Sequence, residues 1–335
     1  MDLSKLTDEE LLEKRICDLE LAIPGSELES CAQRLYQELD AKQASFHPSC
    51  YLGDEWFTPE DVPAIAIPFY LAHPRLKKLE QKIMLEVEGE TEEVCMKLLR
   101  HEAGHAFNHA YLFSKQPQWH KLFGPPAKEL TYIYKPHPYS RNFVLHLDNW
   151  YAQSHPEEDF AETFAVWLTP AVDWRVKYQG WKALQKLEYV EQIMKEIQGP
   201  SPVVGRGPKM CDASRLRSKL KSYYQKRKRS LDQHCPGFYD TDLKTLFSDD
   251  PSFGNREKAS RLMKRLNKSL LNTVCLWTGE KKITVNYLLR ALSQRCDELG
   301  LHLHQEEPTA SWQLLAYLTH LVTHYRFTGQ FKHKV

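Results

Sequence analysis

The stretch from Thr91 to Tyr111, TEEVCMKLLRHEAGHAFNHAY, constrains this chain most, because it contains His-Glu-x-x-His at His101, Glu102 and His105. On a helix, residues four positions apart lie on the same face, so both imidazoles can reach one Zn²⁺. Glu102 then lies beside the open side of the metal, where its carboxylate can take a proton from zinc-bound water. We therefore expect a zinc site with Glu102 as the general base.

The same stretch has the features of a helix. Thr91 is suited to be the N-cap, and Glu92 and Glu93 favour the positive end of the helix dipole. The apolar face consists of Val94, Leu98, Leu99 and Ala106. Gly104 costs about 1 kcal/mol relative to Ala inside a helix. We expect another backbone to pass close to the helix at this position, near the metal.

Composition and charge narrow the class of protein. The 335 residues are 42% hydrophobic and 27% charged, which is typical of globular proteins, and the net charge of +1 implies no general attraction to nucleic acid or membranes. The eight cysteines form no Cys-x-x-Cys pair, so neither a disulfide framework nor a cysteine-type zinc site is expected. Without an apolar signal sequence or a run of 18 apolar residues, a cytoplasmic location is expected.

The first third of the chain mixes helices and strands. A helix is predicted over residues 7–20, with Thr7 and Glu10 as a capping box, and a second begins after Ser26. Residues 62–71 are β-branched and apolar but contain two prolines, which indicates an edge or irregular strand. Residues 82–88 alternate strictly and predict a half-buried strand before the metal helix. It would be an interior strand or an edge that accepts an extended peptide.

A zinc ion with an open position needs a third protein ligand, and the helix after Ser154 offers one. Ser154 and Glu157 are predicted to form its capping box, with Pro156 in the first turn. One stripe of this helix consists of Glu158, Ala161, Glu162 and Ala165. Its small residues would let the helix approach the metal helix. We expect Glu158 to be the third ligand and Glu162 to orient a ligand histidine. Asp159 and His155 are the alternatives.

His101-Glu-Ala-Gly-His105 followed by Glu158-Asp-Phe-Ala-Glu162-Thr-Phe resembles the glutamate zincins. It is most similar to zinc-binding metallopeptidases of bacteria and more faintly to the catalytic domain of anthrax lethal factor. The resemblance covers roughly residues 60–180. It implies proteolysis, with Glu158 as ligand, and it matches Tyr151 to a tyrosine that faces the metal. Tyr151 would then hydrogen-bond the oxyanion of the tetrahedral intermediate, or it packs beside Trp150.

We accordingly expect an α+β fold: a zincin-like domain with a small mixed sheet and helical additions at both ends. The expected regions are N-terminal helices at 1–45, a catalytic domain at 46–197, a linker at 198–212 and a basic helical region at 213–335. The expected function is a zinc metallopeptidase acting on a peptide or protein. The alternatives are a non-catalytic zinc-containing interaction protein and a zinc amidase with a non-protein substrate.

The remaining patterns carry less chemistry. The basic tract Arg215–Arg229 is predicted to be a solvated helix face, although it leaves nucleic acid open as a partner. A short strand is predicted over 143–147, and helices over 181–197, 255–271, 284–299 and after Ser311. His320 and His324 are also four residues apart but lack the following glutamate. We expect them to be packing or surface residues, like His109, His120, His137 and His146.

Overall fold

The computed structural model describes residues 2–60, 62–126, 134–170, 172–205, 207–232, 239–329 and 331. The chain divides into two compact units. The first comprises Met1–Lys82 and Val87–Ser222, and the second Ile83–Glu86 and Tyr223–Val335. Residues 198–212, for which a linker is predicted, fall within the first unit.

Helices dominate the chain, and a single two-stranded sheet accompanies them in the part that the structure describes, so the α+β class is confirmed. The elements up to residue 200 are α1 Asp8–Leu12, α2 Glu27–Ala41, β1 Ser49–Gly53, β2 Ala64–Pro68, α3 Pro74–Met84, α4 Glu92–Tyr111, α5 Pro117–Phe123, α6 Pro156–Leu168, α7 Trp174–Lys177 and α8 Ala183–Glu196. The later elements are α9 Leu220–Asp232, α10 Asp240–Leu246, α11 Ala259–Thr278, α12 Lys282–Glu298 and α13 Glu307–Thr328.

The sheet consists of β1 and β2, which run parallel in a register from Ser49 opposite Ala64 to Gly53 opposite Pro68. An isolated antiparallel bridge joins Phe57 to Ala66. All five residues of β2 are buried. The predicted mixed sheet is therefore a parallel pair with one antiparallel bridge, and the apolar 62–71 segment contributes a buried strand.

The strand predicted over residues 82–88 is wrong. Residues up to Met84 belong to α3, which starts at Pro74, a residue that suits the first turn because its missing N–H has no helical partner there. Leu76 and Leu79 are buried at helical spacing. Leu85 then has φ of +68°, which ends the helix. The alternating residues 82–88 therefore do not form a β-strand. The strand edge that was expected to accept an extended peptide is not present at these residues.

Helix starts in the first unit follow the predicted caps in three cases. Thr7 and Glu10 form the capping box of α1, Ser26 accepts a hydrogen bond from the N–H of Leu28, and Thr91 accepts one from Val94. Helix α1 is shorter than predicted, because residues 16–19 form a separate 3₁₀ turn. The predicted strand over 143–147 is wrong, since these residues form no strand.

Helix α6 starts differently from the prediction. Its N-cap is His155, whose Nδ1 accepts a hydrogen bond from the N–H of Glu157 at 3.2 Å. Pro156 forces its predecessor into extended backbone, and His155 has φ of −153° and ψ of 152°. Ser154 instead donates its hydroxyl to the carbonyl of Tyr151. The capping box of Ser154 and Glu157 is therefore wrong.

Helices α4 and α6 pack backbone against backbone where their small residues meet. A Cβ added to Gly104 would lie 2.7 Å from the Cα of Ala161 and 3.0 Å from its carbonyl oxygen. Contacts that short do not occur between real atoms, so only glycine fits. The expectation of a close approach at Gly104 is confirmed, and the approach brings the acidic stripe of α6 onto the histidine face of α4.

The second unit has its own apolar core, formed mainly by α11, α12 and α13. Helix α11 begins and ends later than predicted, and α13 begins at Glu307, before Ser311. The predicted cap at Ser311 is therefore wrong. His320 and His324 lie on α13 with ring centroids 6.5 Å apart, and neither belongs to a potential metal-binding group among the described residues.

Seven of the eight cysteines are free thiols, and Cys235 lies outside the described residues. In the basic tract, Lys219 and Lys221 pair with the carboxylate of Glu13.

Within the part of the chain described here, none of the helices combines the length and the apolar character that crossing a bilayer requires.

Candidate metal centre

Three potential metal ligands meet where α4 contacts α6. Nε2 of His101 lies 3.0 Å from Oε2 of Glu158, and Nε2 of His105 lies 3.2 Å from the same oxygen. The two imidazole nitrogens are 3.2 Å apart. The sequence places the histidines one turn apart, and only the packing of α6 adds the carboxylate. The three side chains form a group that could hold a metal ion.

Glu162 fixes the orientation of the first histidine. Its Oε1 accepts a hydrogen bond from Nδ1 of His101 at 2.8 Å, and its Oε2 accepts one from the N–H of Leu147 at 2.8 Å. A carboxylate only accepts, so Nδ1 carries a proton, and Nε2 is the nitrogen whose lone pair is left for a metal ion when the imidazole is neutral. This arrangement is common for histidines that bind metals.

Glu102 lies beside the ligand group and is buried, with 6% of its surface exposed. The hydroxyl of Thr58 donates to its Oε2 at 2.9 Å and approaches its backbone carbonyl at 3.1 Å. Burial raises the pKa of Glu102, and the neighbouring histidines partly offset this. A carboxylate with a raised pKa is a stronger base once it is ionised. Thr58 was not anticipated, because nothing in the sequence links it to the motif.

The charges of the cluster favour a bound cation. Burial alone lowers the pKa values of His101 and His105, but Glu158 and the other carboxylates reverse this and raise both. Burial raises the pKa of Glu158, yet the two histidines hold it below its ordinary value. The carboxylates thus stabilise positive charge between them, which a proton or a metal ion can supply.

Tyr151 lies next to the ligand group. Its ring centroid is 5.7 Å from that of His101, and burial raises the pKa of its phenol, so the hydroxyl stays protonated. The two residues before it, Asn149 and Trp150, have φ of +62° and +55°. Left-handed backbone at non-glycine residues costs on the order of 1 kcal/mol each and is concentrated at functional sites. The hydroxyl of Tyr134 donates to the carbonyl of Asn149 and supports this turn.

The two alternative ligands lie elsewhere. Asp159 is buried and pairs with Nζ of Lys186 at 2.5 Å, and burial raises its pKa to about 7 despite that lysine. His155 caps α6 through its Nδ1. Neither belongs to a potential metal-binding group among the described residues, whereas Glu158 does.

Two residues near the ligand group were not expected to take part. His109 lies one turn beyond His105, and Glu157 precedes Glu158 on α6. Together with His105 they form a second group of potential metal ligands. The spacing of four residues between His105 and His109 indicates that both lie on one face of the helix, so the sequence could have predicted this pair. The position of Glu157 depends on how α6 packs and has no such signal.

Two imidazoles and one carboxylate are the donor set of many catalytic zinc sites. The hydrogen bond from Nδ1 of His101 and the shared approach of both histidines to one oxygen of Glu158 leave these three side chains arranged so that they could hold a metal ion. No model of a known protein family, no curated protein and no solved structure matches the chain.

Proposed function

We propose that this chain is a zinc-dependent metallopeptidase of the glutamate zincin type, with His101, His105 and Glu158 as its ligands. The observation that supports this most is the approach of Glu158 to both histidines, beside a buried glutamate that follows the first of them. A structural zinc site needs no such glutamate. A hydrolytic site does, because the attacking water must lose a proton.

The ion would polarise the substrate carbonyl and lower the pKa of a water molecule. With such an ion bound, Glu102 would take a proton from the attacking water and pass it to the leaving amine, and the hydroxyl of Thr58 would hold its carboxylate in place. Glu162 keeps Nε2 of His101 available as a ligand atom. The hydroxyl of Tyr151 donates a hydrogen bond to the oxygen that becomes negative in the transition state.

The test compares the purified protein with its Glu102→Gln variant on a mixture of peptides, with product detection by mass spectrometry. We expect cleavage by the zinc-loaded protein, inhibition by a chelator and a loss of at least about a hundredfold in the variant, the scale of a missing general base. The matched control is Glu93→Gln on the exposed first turn of the same helix. It should leave the rate unchanged.

The outcomes separate the three functions considered. Equal activity in both glutamate variants would contradict the role of Glu102. A protein that holds zinc but cleaves no peptide, and whose cellular role survives Glu102→Gln, would be a zinc-containing interaction protein. Hydrolysis of a non-peptide amide, with peptides untouched and with the same dependence on Glu102, would identify an amidase.

A further inference from the structure

The second group of potential ligands overlaps the first. The ligand atoms of His105, His109 and Glu157 lie within 4.8 Å of one another, as do those of His101, His105 and Glu158. His105 belongs to both groups. His101 and His109 lie one turn to either side of it on α4, and Glu157 and Glu158 are adjacent on α6. The ligands therefore continue along the contact between the two helices for one more turn.

His109 has the orientation of a ligand. Its Nδ1 donates a hydrogen bond to the carbonyl of Pro59 at 2.9 Å. A carbonyl only accepts, so the proton is on Nδ1 and the lone pair is on Nε2. Metal-binding histidines commonly donate their second ring N–H to a backbone carbonyl or carboxylate in this way. The carbonyl of Pro59 thus orients the ring of His109 through its Nδ1, as the carboxylate of Glu162 orients the ring of His101.

Glu157 supplies the carboxylate of the second group. It is half-buried in the first turn of α6, and its backbone N–H donates to Nδ1 of His155. Its position beside Glu158 gives each histidine group one carboxylate from the same turn. Both groups consist of two imidazoles and one carboxylate, a set that suits zinc and similar transition metals.

We propose that the contact between α4 and α6 contains two overlapping positions for a divalent metal ion, and that His105, His109 and Glu157 form the second. Because His105 offers one ligand atom to either group, the first position competes with the second. A metal ion therefore binds at the second position when a ligand of the first position has been removed. This inference concerns metal binding only and does not depend on the proposed peptidase activity.

The experiment measures zinc stoichiometry by dialysis against a zinc buffer, with Zn²⁺ alone as the probe. Glu158→Gln removes the carboxylate of the first group and leaves the second intact, so we expect it to keep one equivalent. Two double variants, Glu158→Gln/Glu157→Gln and Glu158→Gln/His109→Ala, each remove one ligand from both groups. They should bind no zinc. Glu157→Gln alone, the control, should keep one equivalent in the first position.

A second route does not depend on the Glu158 variant. His101→Ala also leaves the second group intact and should keep one equivalent, which is lost when His109→Ala is added. Circular dichroism identifies variants that fail to fold, and those are excluded. Loss of zinc from folded Glu158→Gln and from folded His101→Ala would overturn the proposal. So would retention of zinc by either folded double variant that carries Glu158→Gln.

These results also separate the two proposals. If the native protein binds zinc but cleaves no peptide, the peptidase assignment fails. The second metal position is then tested by the zinc content of the variants, which does not depend on activity. If peptide cleavage is found and neither folded Glu158→Gln nor folded His101→Ala holds zinc, the second position fails while the peptidase assignment stands.

Discussion

Gly104 on α4 lies against the backbone of Ala161 on α6, so that a single added methyl group would come within 2.7 Å of the Ala161 Cα. This contact sets the distance between the helix that carries both histidines and the helix that carries Glu158. The ligand group exists because the two backbones approach this closely.

Gly104→Ala should therefore lower both stability and metal affinity. An alanine inside a helix normally stabilises it by about 1 kcal/mol relative to glycine. Here the clash with backbone reverses the sign, and overpacking should lower the free energy of unfolding by about 1–3 kcal/mol. Urea unfolding measures this. Gly199→Ala is the control, since nothing lies within 4 Å of its added Cβ. Equal effects at the two positions would contradict the account.

Glu162→Gln tests the orientation of His101. The amide keeps the shape of the side chain but loses the charge that holds Nδ1–H of His101 and the N–H of Leu147. Replacing such a partner typically costs about 10–100-fold in metal affinity. Competition with a zinc-binding dye measures this loss. Glu93→Gln should have no effect, and an unchanged affinity in Glu162→Gln would mean that the hydrogen bond does not orient the ligand.

The buried pair of Asp159 and Lys186 predicts a large effect on stability. Lys186→Met removes the only cation that pairs with Asp159 among the described residues, and it also removes the donor to the carbonyl of Asn142. Without the lysine, the carboxyl of Asp159 takes up a proton, because burial already raises its pKa to about 7. A buried polar group that loses its partner still costs about 1–3 kcal/mol. Adding Asp159→Asn should restore part of this loss in urea unfolding. The exposed Lys195→Met should change little, and a loss below about 1 kcal/mol in Lys186→Met would contradict the prediction.

The ligand group also predicts how the stability of the chelator-treated protein depends on pH. The pKa of Glu158 is lowered from 4.5, so its contribution is complete above that pH and is lost as the pH falls further. The pKa values of His101 and His105 are raised from 6.5, so theirs is complete below pH 6.5 and is lost as the pH rises.

The metal-free protein should therefore be most stable between about pH 4.5 and 6.5 as far as this group is concerned. Urea unfolding at pH 5.5 and 9 measures the difference, with and without His105→Ala. The variant should lose less stability than the native protein over this interval. A larger loss in the variant would show that other groups cause the dependence.

The sequence predicts much of the site but less of its surroundings. His101, Glu102 and His105 follow from spacing on one helix, and the stripe of Glu158 and Glu162 follows from helical periodicity. The contact of these two helices could be expected from Gly104, because a glycine inside a helix needs a reason. The spacing within each helix is a local property of the sequence, and the contact between the two helices depends on one glycine. Both can therefore be predicted from the sequence.

The failures have physical causes too. Residues 82–88 alternate like a strand, but the signal is short, and the preceding Leu76 and Leu79 continue a helical period from Pro74. The sequence predicts a capping box of Ser154 and Glu157, whereas Pro156 extends the backbone of His155 and makes that residue the N-cap. Thr58 reaches Glu102 only through the tertiary fold. No local pattern could indicate that contact.

Zinc content provides the most direct test of the central claim, that α4 and α6 together bind a catalytic metal ion. His105 belongs to both ligand groups, so His105→Ala should abolish binding whichever group is filled. Protein purified without chelator and analysed by plasma mass spectrometry should contain one tightly held zinc per chain, and folded His105→Ala should contain none. A native protein without stoichiometric zinc after incubation with the metal, or a His105→Ala variant that retains it, would contradict the account.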